Sequence, residues 1–194
     1  LYFYRVARVI ANIVFRIIFR IEVNGKENVP KEGPIVLCSN HKSNLDPIIL
    51  GIAFPRPIIF MAKKELFENK FIAKLITALG AFPVDRKGSD IGAIKKSFRV
   101  LKQGQVLGIF PEGTRVQEMD LDNTKPGIAL ISIKSKSPVI PVFIDSEYKL
   151  FSKIVINIGE PIYFDEYYDQ QLEAEDYLEI SKDIMKTIYS LKKS

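Results

Sequence analysis

The chain is predicted to fold as a single α/β domain with a largely parallel central sheet flanked by helices, preceded by an amphipathic N-terminal helix. Three observations predict it. Short apolar runs rich in Ile and Val alternate with helical patterns from about residue 34 onward. A length of 194 residues suits one domain and is enough to bury a core. With one cysteine and one histidine, neither a disulfide framework nor a zinc-ligand cluster takes over the work of that core. No cofactor is implied, and the chain has no internal repeat or low-complexity segment.

Residues 1–24 are set apart as an interfacial helical segment, with 25–194 forming the α/β domain. The first twenty residues would make a helix about 30 Å long at 1.5 Å per residue. Arg8 and Arg16 leave only the seven residues from Val9 to Phe15 free of arginine. A bilayer span needs about 20 mostly apolar residues, so this segment is not expected to cross. On a helical wheel Arg5, Arg8, Asn12, Arg16 and Arg20 share one face, while Val6, Ile10, Ile13, Val14, Ile17 and Ile18 cover the other. That pattern suits a helix lying in a membrane interface; the alternative is a helix packed on the protein's own core with a wet basic face. The arginines also interrupt any signal-peptide apolar region.

Strands are expected at 34–39, 57–62, 81–84, 106–110, 139–144 and 154–158, each a short apolar run bounded by turn residues. Helices are expected at 47–53, 66–79, 91–102 and about 127–134. A last one is marked by Tyr177, Ile180, Ile184, Ile188 and Leu191 at spacings of three and four. Cys38, inside the first apolar run, reads as a core residue in a reducing compartment. The formal charge of +5 is uneven: residues 160–183 hold nine Asp or Glu against Lys182 alone, a net −8 that leaves the remainder at +13. A basic body with one acidic end suits an anionic partner, whether a phosphorylated ligand, a membrane surface or an acidic carrier. No RNA-binding or zinc-finger motif supports nucleic acid.

In open α/β sheets ligands bind beyond the carboxyl ends of the strands. There the sequence has His41 after the first predicted strand, Lys63-Lys64-Glu65 after the second, Asp85-Arg86-Lys87 after the third and Pro111-Glu112-Gly113-Thr114-Arg115 after the fourth. One base and several cations on one rim would serve a phosphorylated alcohol. A P-loop is excluded because Gly108–Arg115 ends in Thr-Arg and Pro111 removes a backbone donor. No Gly-x-Ser-x-Gly elbow or Gly-x-Gly-x-x-Gly fingerprint occurs.

His41 carries any histidine chemistry the chain performs. At neutral pH an imidazole can take a proton from a hydroxyl if a second group fixes its tautomer, and Asp46 is the candidate. On a helix, residues five apart point about 140° away from each other. The two can therefore meet only across a tight loop, for which Lys42-Ser43-Asn44 has the composition. Asp46 before Pro47 also reads as a helix N-cap, a role compatible with orienting the imidazole.

These blocks resemble the glycerolipid acyltransferases, most closely their lysophosphatidic acid acyltransferase branch, over about residues 20–160. The resemblance rests on Asn40-His41 with Asp46, on Gly80-Ala81-Phe82-Pro83-Val84-Asp85-Arg86, on Phe110-Pro111-Glu112-Gly113-Thr114-Arg115 and on Val139-Ile140-Pro141-Val142, in that order. Val116 stands where many members have serine, and Lys125-Pro126-Gly127 matches the usual segment only loosely. The resemblance implies transfer of an acyl chain from a thioester of coenzyme A or acyl carrier protein to the free hydroxyl of lysophosphatidic acid, forming phosphatidic acid at the cytoplasmic face of the cell membrane. On this basis His41 and Asp46 are expected to be catalytic. Lys63, Arg86 and Arg115 are expected to hold the acceptor phosphate. Glu112, Gly113 and Thr114 are expected to shape the acceptor site, with the Gly113 N–H toward the developing oxyanion. Glycerol-3-phosphate as acceptor, a hydrolase or transacylase using the same pair, and a non-catalytic protein that binds anionic lipid remain open alternatives.

Overall fold

The computed structural model describes residues 2–85 and 90–192. Seven strands form one sheet: β1 (Arg20–Asn24), β2 (Ile35–Ser39), β3 (Ile58–Lys63), β4 (Phe82–Val84), β5 (Val106–Ile109), β6 (Val139–Asp145) and β7 (Lys153–Ile158). Their order is β1-β7-β6-β2-β5-β3-β4. Every neighbouring pair is parallel except β6 with β7, where Val142 faces Ile158. The helices are α1 (Tyr2–Ile18), α2 (Asp46–Ala53), α3 (Lys70–Ala78), α4 (Ile91–Lys102), α5 (Gly127–Ser135) and α6 (Ala174–Ser190).

Central strand β2 is buried at every residue, because both faces of the sheet are covered. Ile35 and Leu37 pack with Ile49, Leu50 and Phe54 of the α2 region on one side. Val36 and Cys38 point the other way, into a cluster with Val100 of α4, Ile131 of α5 and Ile184 and Ile188 of α6. Each such side chain contributes roughly 1.5–3 kcal/mol on burial. This is why β2 is a continuous apolar run, and why its far end, at Asn40 and His41, is held rigidly.

The N-terminal helix stops at Ile18, and Arg20–Asn24 becomes edge strand β1 in register with Lys153–Asn157. The segment expected to be helical through residue 24 thus ends in a strand. Phe19 is buried, the Arg20 N–H donates to the Ser152 carbonyl, and Arg-Ile-Glu-Val-Asn alternates with the period of a strand. The helix expected at 66–79 divides into a 3₁₀ turn at Lys64–Phe67 and α3, because the Asn69 side chain caps α3 by accepting from the Phe71 and Ile72 N–H groups.

Helix α1 turns its apolar stripe outward. Val6, Val9, Ile10, Ile13, Val14 and Ile17 are all exposed, Ile17 by 69%. Against the body lie Tyr4, Ala11 and Phe15. Arg8, expected on the wet basic face, instead points inward and donates to the Ile52 and Phe54 carbonyls at 3.2 and 2.6 Å, at the C-terminus of α2. A cation there satisfies carbonyls left without helical partners and complements the helix dipole. No described helix is long and apolar enough to cross a membrane.

Gly108 on β5 sits opposite Phe60 of β3, and a Cβ there would lie 2.5 Å from the Phe60 ring and 2.7 Å from Ile58. Gly108→Ala is expected to destabilise the fold by about 1–3 kcal/mol through overpacking, read as a lower urea midpoint at unchanged slope. A midpoint equal to wild type would refute this.

Candidate active site

The site forms where β2, β5 and β6 end. Beyond the last residue of β2, the Asn40 amide bonds to both backbone groups of Ile144, donating to its carbonyl at 3.0 Å and accepting its N–H at 2.7 Å. A side chain here continues the pairing of β2 with β6, so the chain leaves the sheet at a defined place. Next comes His41, largely buried, whose N–H donates to Glu112 Oε2 at 2.8 Å and whose carbonyl accepts from the Val116 N–H at 2.8 Å. Its ring stacks on Phe110, with centroids 4.1 Å apart and planes 21° from parallel.

Residues 42–45 form the expected tight loop. It brings His41 Nδ1 to 2.8 Å from Asp46 Oδ2. Asp46 opens α2, but it does not cap it: the carboxylate reaches back, and its Oδ2 accepts the Lys42 and Ser43 N–H groups at 2.7 Å each. The other oxygen, Oδ1, accepts the Tyr148 hydroxyl. With the carboxylate accepting at Nδ1, that nitrogen carries the proton, and Nε2 is left as the basic nitrogen.

Glu112 is 1% exposed and faces inward. Its oxygens accept the His41 N–H and the Tyr189 hydroxyl of α6, the latter at 2.6 Å. Expected to shape the acceptor pocket, it anchors the backbone beneath His41. Burial pushes its carboxyl up to about 7, against the opposing pull of these two donors. The Gly113 N–H, expected to face an oxyanion, donates to the Phe110 carbonyl at 3.1 Å, closing a turn in which Gly113 takes φ +65°. Thr114 and Arg115 are exposed, one step before Val116 ties the segment to His41. Lys63 is exposed and pairs with Glu65 at 3.2 Å. Arg86 lies outside the described residues.

His41 and Lys63 line one cavity of about 540 Å³ between α1, α2, β3 and α3. Most of its wall is apolar, built by Tyr4, Ala11 and Phe15 of α1, Ile48 of α2, Phe60 of β3 and Ile76 of α3. Cys38 is fully buried, and burial pushes its thiol up. The Ser39 hydroxyl donates to the Asn40 carbonyl, while that of Ser43 accepts the Leu45 N–H.

Sequence reasoning missed Tyr148, Tyr189 and the inward role of Arg8. The two tyrosines lie 102 and 77 residues from their partners, and no local motif marks them.

A carboxylate-held imidazole beside an apolar cavity and a lysine is equipment for activating a hydroxyl next to a long apolar chain. The chain belongs to the acyltransferase family: the family model named Acyltransferase matches residues 20–145. It is 38% identical over 149 residues to a 1-acyl-sn-glycerol-3-phosphate acyltransferase of Bacillus subtilis, covering 74% of each chain. It is 31% identical over 147 residues to a protein of the same name from Borreliella burgdorferi, covering 74% of this chain and 59% of that one. The crystal structure of the 1-acyl-sn-glycerophosphate (LPA) acyltransferase from Thermotoga maritima shares the fold, with a TM-score of 0.72 at 23% identity over 98% of this chain and 81% of that one.

The raised Glu112 pKa has a defined sign in stability. The group ionises near 4.5 ordinarily and near 7 here. Its contribution is complete below the lower value and is lost as pH rises through the upper one, by about 3 kcal/mol. Glu112→Gln cannot ionise and keeps an acceptor for the His41 N–H. Wild type is therefore expected to lose stability relative to this variant between pH 5 and 8 in urea titrations; an unchanging difference would exclude the assignment.

Proposed function

We propose that this acyltransferase moves a fatty acyl chain from a coenzyme A or acyl carrier protein thioester to the sn-2 hydroxyl of 1-acyl-glycerol-3-phosphate, yielding phosphatidic acid. The observation that carries the reading is the His41–Asp46 pair, with His41 on the wall of an apolar cavity; the names of the relatives supply the acceptor. His41 Nε2 takes the hydroxyl proton while Asp46 keeps Nδ1 protonated and steadies the imidazolium. The freed oxygen attacks the thioester carbonyl, the carbon–sulfur bond breaks, and the imidazolium returns its proton to the departing thiolate. Lys63, with Arg86 and Arg115, holds the acceptor phosphate, and Thr114 borders that site.

The protein works at a membrane surface, on the cytoplasmic face. In support, the outward stripe of α1 would bury in the interface, and Phe71 and Leu75 of α3, a helix that forms another cavity wall, are 88% and 50% exposed. The reaction product then leaves into the leaflet from which its precursor came.

With lysophosphatidic acid and an acyl thioester, wild type is expected to form phosphatidic acid and His41→Ala to be at least about 100-fold slower, the low end for loss of a general base. Turnover that survives the substitution would overturn the mechanism. Phosphatidic acid formation seen with neither donor would overturn the assignment. Ile10→Asp with Ile13→Asp, both at exposed positions, is expected to weaken sedimentation with anionic phospholipid vesicles by at least about tenfold. Equal sedimentation would remove α1 from membrane binding.

A further inference from the structure

The loop between β6 and β7 lies over the His41–Asp46 pair and is held in an unusual backbone. Tyr148 takes φ +52° and Phe151 φ +62°, left-handed values that side-chain-bearing residues adopt only when their surroundings fix them. Three contacts do the fixing. The Tyr148 N–H donates to Ser146 Oγ at 2.9 Å, the Phe151 N–H donates to the Ile18 carbonyl at the end of α1 at 2.8 Å, and the Tyr148 ring meets Phe19 edge-on at 6.1 Å. The outcome of this geometry is one hydrogen bond, from the tyrosine hydroxyl to Asp46 Oδ1.

We propose that Tyr148 is a positioning residue for the acyl-transfer reaction: its hydroxyl fixes the rotation of the Asp46 carboxylate, and so the direction of the His41 imidazole and the basicity of Nε2. Oδ2 already serves three donors on one side, the imidazole and the Lys42 and Ser43 N–H groups. Tyr148 supplies the donor on the other side, so the carboxylate plane is set by contacts at both oxygens. The phenol remains a donor at any working pH, because burial and the neighbouring carboxylate both push its ionisation up.

The effect on His41 has a sign. A hydroxyl donated to Asp46 draws off part of the carboxylate charge that would otherwise stabilise the imidazolium. Removing it concentrates that charge on Oδ2, so His41 is expected to hold its proton more tightly while pointing less accurately. Among the described residues, the ionisable groups near the pair include Glu112, under the His41 backbone, Lys42, in the intervening loop, and Lys63 and Arg8, which line the cavity with His41. None of these is substituted when Tyr148 is altered, so the difference between proteins reports on Tyr148.

The proposal rests on the reading of His41 as the base, and the sole histidine of the chain makes it directly measurable. In untagged protein every imidazole resonance belongs to His41. Tyr148→Phe is expected to raise the His41 titration midpoint in ¹⁵N NMR by a few tenths to one pH unit. It should also lower kcat roughly tenfold, with KM for donor and acceptor within about twofold of wild type. Tyr148→Leu, which also removes the ring, separates packing from hydrogen bonding. If Phe matches wild type in kcat and midpoint, the hydroxyl has no positioning role and the proposal fails, whatever Leu does. His41→Ala measured alongside distinguishes the two readings. An active alanine variant overturns the base assignment, whereas an inactive one with an unaltered Phe variant overturns only the role of Tyr148.

Discussion

Four donors converge on the Asp46 carboxylate: an imidazole Nδ1–H, two backbone N–H groups and a phenol. A charged carboxylate that is 1% exposed has to be solvated by something other than water, and here the protein supplies the solvation. The consequences spread outward. Capturing the Lys42 and Ser43 N–H groups folds residues 42–45 into a loop, which brings His41 back over Asp46. The same negative charge lies at the N-terminus of α2, whose partial positive charge favours it. Arg8 answers the opposite end of that helix, so α2 is electrostatically complemented at both termini by groups from different parts of the chain.

His41 is restrained with equal thoroughness, by a different set of forces. Its ring ends a short aromatic column, since Phe110 stacks between it and Phe60, with the two phenylalanine planes 6° apart. Its backbone is pinned through Glu112 and Val116. A proton acceptor that swings freely gives up much of the advantage of proximity, whereas one fixed to within a fraction of an ångström keeps it. The buried Glu112 is the expensive part of this arrangement, because low polarity disfavours its charge.

Much of the architecture was legible because apolar periodicity reports burial directly. Helix α4 falls at Ile91–Lys102 as expected, and β2, β3, β5 and β6 differ from expectation by a residue or two at their ends. Strand β1 was missed because its alternation is short and follows a helical apolar stripe without a turn signal. The meeting of His41 with Asp46 was legible because it is local: five residues, one loop. Glu112 was legible as part of a motif but not in its direction, which depends on a tyrosine 77 residues later. Tyr148 left no trace, since its partner is specified by strand order and by a left-handed backbone, neither of which a local pattern records.

The site is therefore assembled from chain segments made at very different times. Proteins are synthesised from the N-terminus, and His41 and Asp46 emerge well before Tyr148 and long before Tyr189. Strand β7 turns straight back along β6 instead of crossing over, which keeps the intervening loop on the rim where His41 stands. Until that reversal is made, Asp46 lacks a donor, and until α6 packs, Glu112 lacks its hydroxyl. A growing chain thus carries His41 and Asp46 in an unfinished setting until β7 and α6 have been made and packed.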